Sequence, residues 1–202
     1  MSTPSENVKP SNWNVPNVLT ALRIVLVPVF AWVLLAHPAD PVWRWWATAV
    51  FVVAILTDMA DGKIARKYNL VTDFGKLWDP IADKALTGMA FIGLSILGEL
   101  PWWITAIILL REWGITVLRF AILKYGTVMA ANKGGKLKTV TQSVALAMFL
   151  PGLMFLPAWW GWIAWAIMIV AFVLTVYTGI DYLLAARKTR AAYYAEHPAG
   201  KQ

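Results

Sequence analysis

The stretch Asp58-Met-Ala-Asp61-Gly62-Lys-Ile-Ala65-Arg66, followed after eight residues by Gly75-Lys-Leu-Trp-Asp79-Pro-Ile-Ala-Asp83, sets four carboxylates among long apolar runs. Carboxylates at membrane depth are costly and mark functional sites. Asp58 and Asp61 are three apart and Asp79 and Asp83 four apart, so on helices each pair shares a face. Like charges this close oppose one another's ionisation, and a divalent cation removes the conflict. Mg2+ or Mn2+ takes hard oxygen ligands of this kind. Four carboxylates suit two ions, which can clamp both ends of a phosphoryl displacement. Gly62 directly follows a candidate ligand and lets a phosphate or nucleotide approach the backbone. Ala65 is small on the same face, and Arg66 can pair with a pyrophosphate or an aspartate. The plainer alternative is a set of ion pairs at a helix end, with Lys63, Arg66, Lys76 and Lys84 as partners.

Outward from this stretch, the chain reads as membrane-embedded. Of its 202 residues, 59% are hydrophobic and 14% charged. The apolar residues fall in six stretches, near 18–36, 42–59, 80–98, 101–123, 140–157 and 159–185. The expectation is an all-α, polytopic membrane bundle of six transmembrane helices. Its bounds would be an N-terminal arm or interfacial helix at 1–17, a membrane domain at 18–186 and a basic tail at 187–202. The first apolar stretch lacks a good cleavage site after it and reads as a retained span. There are no cysteines, which excludes disulfides and thiolate chemistry, and His37 and His197 lie far in sequence from the acidic cluster.

Charge gives the orientation. Of the 18 Lys and Arg residues, only Arg44 falls on the side holding 37–44, 98–101 and 157–161. The rest predict a cytoplasmic face with both termini on it. Trp43, Trp45, Trp46, Trp102, Trp103, Trp159, Trp160 and Trp162 mark the opposite interface as an aromatic belt. The net charge of +7 suits anionic headgroups and anionic substrates better than nucleic acid.

The pattern D-x2-D-G-x2-A-R-x8-G-x3-D-x3-D resembles the signature of the CDP-alcohol phosphotransferase family at every fixed position. Flanking segments agree: Pro16-Asn-Val-Leu-Thr-Ala-Leu-Arg23, Trp78-Asp-Pro-Ile-Ala-Asp-Lys84, Arg111-Glu112 and Gly135-Lys-Leu-Lys-Thr139 are similar to the bacterial branch that makes phosphatidylglycerol phosphate. The resemblance runs from about residue 14 to about 187. It implies transfer of a phosphatidyl group from CDP-diacylglycerol to glycerol 3-phosphate with release of CMP, in the cytoplasmic membrane, by a homodimer. It implies that Asp58, Asp61, Asp79 and Asp83 hold two Mg2+ or Mn2+ ions, with Asp83 either deprotonating the acceptor or serving only as a ligand. Gly62, Ala65, Arg66 and Gly75, with Asp58 and Asp61, would contact the CDP group.

The acceptor is a dianion and needs cations of its own. Arg111 falls near mid-depth of the fourth stretch, and Arg119 follows at nearly the same angle. Glu112, next to Arg111, should point elsewhere around the helix. Arg111, Arg119, Lys136 and Lys138 form the expected phosphate-binding group, with Arg23 as a further candidate. Lys133-Gly134-Gly135 reads as a flexible loop, and Asp73 as solvated or a helix cap. Two other readings stay open. One keeps the fold and metals with a different acceptor, such as an inositol phosphate, serine or phosphatidylglycerol. The other is a cation transporter.

Overall fold

A computed structural model of the chain describes residues 15–67, 73–123 and 133–196. Six α-helices account for most of them: α1 (Val15–Ala36), α2 (Pro41–Lys67), α3 (Asp73–Ile96), α4 (Trp102–Leu123), α5 (Lys133–Phe149) and α6 (Ala158–Glu196). One 3-10 turn lies at Leu153–Phe155, and no strand occurs among the described residues. Each helix overlaps one of the six apolar stretches, α5 only over the first part of its stretch, 140–149. The helices α1 and α6 contain segments, Val18–Ala36 and Ala158–Ala191, long and apolar enough to cross a membrane.

The chain forms two compact units, residues 1–90 and 91–202, with the boundary inside α3. In the first, α1 packs against α2 across a four-residue connection. Asp40 sets the start of α2: its Oδ1 accepts the amide of Val42 at 2.8 Å, with Pro41 as the first helical residue. An aspartate cap satisfies an amide that the helix leaves over, and proline in the first turn loses no hydrogen bond. Phe30 and Phe51 are fully buried between the two helices, their ring centroids 5.8 Å apart. Arg44, the basic residue on the tryptophan-rich side, is also fully buried.

In the second unit, α6 packs against both α4 and α5. Ala164, Met168 and Ala171 of α6 and Ala145, Leu146 and Phe149 of α5 are fully buried. Polar side chains here pair within the protein. Gln142 Nε2 donates to Thr175 Oγ1 at 2.8 Å, and Thr175 in turn donates to the Ala171 carbonyl at 2.6 Å. Ser95 and Thr105 share a hydrogen bond of 2.7 Å. By contrast, Leu110, Val117, Trp162, Ile169 and Val173 are exposed. An apolar exterior with polar groups paired inside is what a lipid environment favours.

Several helix ends differ from the apolar stretches. The helix α2 runs through Gly62 to Lys67, and α3 begins at Asp73, seven residues before the apolar run at 80. Lys133-Gly134-Gly135 is the first turn of α5 rather than a loop. At its other end, α5 stops at Phe149, because Pro151 cannot continue it and Gly152 adopts φ 85°. The helix α6 continues to Glu196, so the basic segment from 187 to 196 is helical. The arm at 1–14 lies outside the described residues, and so does the Asp73 side chain.

The end of α3 is closed by backbone alone. Gly98 has φ 74°, its amide donates to the Ser95 carbonyl at 3.1 Å, and the Glu99 amide donates to the Leu94 carbonyl at 3.0 Å. This reciprocal pair is a Schellman motif, which needs a left-handed residue at the glycine position. No atom lies within 4 Å of where a Gly98 Cβ would sit, so the conformation is the sole obstacle to a side chain. Gly98→Ala is therefore expected to cost about 1 kcal/mol, and Gly98→Asn less, measured by thermal unfolding of the purified protein.

Candidate active site

The backbone of α2 carries Asp58, Asp61, Gly62, Ala65 and Arg66 on one uninterrupted helix, and α3 carries Gly75, Asp79 and Asp83. Helical geometry holds at both pairs, so Asp58 and Asp61 share a face of α2, and Asp79 and Asp83 share a face of α3. The side chains of Asp61, Ala65, Arg66 and Asp79, and the surroundings of Gly62 and Gly75, lie outside the described residues. Among the described residues no three His, Cys, Asp or Glu side chains converge. Asp58 and Asp83 are half-buried, and the carbonyl of Asp83 accepts the Thr87 hydroxyl at 3.0 Å.

Asp58 has a partner from a different helix. Arg23 of α1 sets its Nη1 2.6 Å from Asp58 Oδ1, with the arginine side chain only 3% exposed. A buried guanidinium needs a carboxylate, and this one fixes the position of the acid it meets. Arg23, a further candidate for phosphate binding, is paired here with Asp58. The donor set fits a divalent cation by its chemistry. Carboxylate oxygens at three- and four-residue spacing on helices are hard ligands, and Arg23 is an outer partner of the kind that orients a ligand.

A second polar cluster lies on α4, α5 and α6. Arg111 Nη1 donates to Glu112 Oε1 at 3.2 Å, and Arg111 Nη2 donates to Thr178 Oγ1 at 2.8 Å. Lys138 Nζ also donates to Glu112 Oε1. The side chains of Arg111, Glu112 and Lys138 are 12%, 17% and 4% exposed, so two cations and one carboxylate share a mostly dry environment. Arg111 Cζ lies 5.8 Å from the centre of the Tyr182 ring, a cation–π contact. Its Nε is buried and has no hydrogen-bond partner among the described residues.

The spacing rule that sends Glu112 away from Arg111 is corrected here. Neighbouring residues leave a helix about 100° apart, but the arginine side chain is long enough to bend back to the adjacent carboxylate. Lys136 and Lys138 do not act alike: Lys136 is exposed and Lys138 buried, as two residues along a helix requires. Arg119 is on α4, with its side chain outside the described residues. Sequence reasoning did not single out Thr178, Gly179 or Tyr182. A threonine and a glycine inside an apolar helix are common, so the run itself gave no signal.

Comparison with known proteins agrees with the signature. The family model for CDP-alcohol phosphatidyltransferase matches residues 13–177. A probable phosphatidylglycerophosphate synthase of Mycobacterium tuberculosis is 47% identical over 180 residues, 86% of this chain and 81% of the relative. Proteins named CDP-diacylglycerol–glycerol-3-phosphate 3-phosphatidyltransferase are similar too. The one from Bacillus subtilis is 40% identical over 149 residues, 68% of this chain and 77% of its own. The one from Rickettsia typhi is 37% identical over 182 residues, 86% of this chain and 97% of its own. With a matching family model over most of its length and the acidic signature carried on α2 and α3, the chain belongs to the CDP-alcohol phosphatidyltransferase family.

Proposed function

We propose that the protein transfers a phosphatidyl group from CDP-diacylglycerol to the 1-hydroxyl of glycerol 3-phosphate, giving phosphatidylglycerol phosphate and CMP. The complete acidic signature of this chain, together with relatives that bear this activity's name, carries the reading. Asp58, Asp61, Asp79 and Asp83 would hold two Mg2+ or Mn2+ ions, which polarise the attacked phosphorus and stabilise the departing CMP. Arg23 orients the Asp58 carboxylate for that task. Gly62, Ala65, Arg66 and Gly75 contact the CDP group. The acceptor oxygen forms a bond to the lipid-bearing phosphorus as the bond from that phosphorus to the CMP oxygen breaks. The hydroxyl proton goes to Asp83, which acts as base in addition to its place in the acidic set.

Arg111, with Arg119, Lys136 and Lys138, holds the phosphate of the acceptor. The buried Nε–H of Arg111 supports this, since an unmet donor of a guanidinium is costly until an oxyanion or water meets it. Lys138 contributes through Glu112, which it helps to neutralise. The setting is a bacterial cytoplasmic membrane, with six spans, both termini and the site on the cytoplasmic side, and a homodimer as the working unit. The membrane domain runs from 18 to 186, between an N-terminal arm at 1–17 and a basic segment at 187–202. A site at the inner leaflet suits a donor whose acyl chains need lipid and whose cytidine diphosphate needs water and cations.

Purified protein with CDP-diacylglycerol and Mg2+ should release CMP on addition of glycerol 3-phosphate. Release with an inositol phosphate, serine or phosphatidylglycerol and none with glycerol 3-phosphate would overturn the acceptor, and cation flux without CMP release would overturn the enzyme. Asp61→Asn should lower turnover by at least about a thousandfold while circular dichroism keeps its helical form. Arg23→Met is expected to raise the Mg2+ concentration at half-maximal activity by roughly tenfold or more, read from a metal titration of initial rates.

A further inference from the structure

Arg111 starts on α4 but is received by α6. A Cβ built on Gly179 would stand 3.0 Å from Arg111 Cγ, 3.5 Å from its Nε and 3.8 Å from its Cδ. The arginine stem thus crosses α6 at the one residue type that leaves room for it. One residue earlier, Thr178 accepts from Nη2 at 2.8 Å. The proton of that hydroxyl is committed to the Leu174 carbonyl, 2.7 Å away, so its lone pairs face the guanidinium. The backbone of α5 comes close to Thr178, so that a Cβ on Gly134 would lie 3.1 Å from its methyl group. Tyr182, one turn further along α6, turns its ring toward Arg111 Cζ at 5.8 Å.

We propose that Thr178 and Gly179 are positioning residues for acceptor binding: the glycine admits the Arg111 stem and the threonine hydroxyl fixes the plane of its guanidinium. This rests on the reading that Arg111 grips the phosphate of glycerol 3-phosphate. A guanidinium recognises phosphate through a rigid planar fork, so its orientation counts as much as its charge. Glu112 and Thr178 hold one terminal nitrogen each, and together they define that plane. A methyl group on Gly179 would push the stem by a few tenths of an ångström at Cγ. The displacement grows toward the guanidinium and breaks its bond to Thr178. Packing of α4 against α6 can absorb such a shift, so the effect falls on placement of the cation.

The test uses the full-length purified chain with CDP-diacylglycerol and Mg2+, measuring the KM for each substrate. Gly179→Ala and Thr178→Val should each raise the KM for glycerol 3-phosphate by roughly tenfold, with the KM for CDP-diacylglycerol unchanged. Thr178→Ser, which keeps the hydroxyl, should stay near the parent value. Thr178→Val preserves volume and carries the test where Gly179→Ala does not fold. A rise in both KM values together, loss of fold in both variants, or a Thr178→Ser variant as impaired as Thr178→Val makes the role one of packing and overturns the proposal. Arg111→Lys separates the two levels. If it raises the acceptor KM while Gly179→Ala and Thr178→Val do not, the positioning role fails and the acceptor reading stands. If Arg111→Lys leaves the acceptor KM unchanged, the acceptor reading fails and the positioning role with it.

Discussion

The cost of taking a charge out of water governs where this chain can put its basic and acidic groups. An ion moved into a dry interior loses several kcal/mol of hydration even after the protein relaxes. Arg23 meets Asp58 across two helices. Arg111 and Lys138 converge on Glu112 from α4 and α5. These pairings bind elements together that apolar contact alone would leave free to slide, because one leucine packs against a helix about as well as another. A buried ion pair has a single register. It therefore contributes specificity of arrangement even where its net stabilisation is small.

The two clusters differ in the balance of their charges. At Asp58, one guanidinium meets one carboxylate. At Glu112, two cations meet one carboxylate. Residues such as Leu110, Val117 and Val173 give the second unit an apolar exterior.

Much of the architecture was legible because it is written in long apolar runs, and each run became a helix. The ends were less legible, since glycine beside charge reads as a loop. Gly134 and Gly135 sit instead in the first turn of α5, where the amides have no carbonyl to meet within the helix and glycine costs little. The basic residues after 186 looked like a tail, yet Arg, Lys and Ala are good helix formers and α6 continues through them. The acidic signature was legible from spacing alone. The Arg23–Asp58 pair was not, because it depends on how α1 lies against α2. Thr178 and Gly179 were hidden for a related reason: a small residue discloses its purpose only when the neighbour that fills its space is known.

The length of α6 acts as a ruler. From Ala158, beside the tryptophans that open the helix, to Thr178 is twenty residues, or about 30 Å of axial rise. A bilayer's hydrocarbon layer has nearly the same thickness, about 30 Å. The stretch of α6 from its tryptophans to Thr178 is therefore about as long as that layer is thick. A dozen further residues continue the same helix through Arg187, Lys188 and Arg190. Thr178, which holds Arg111, thus lies one such thickness along the helix from its aromatic end.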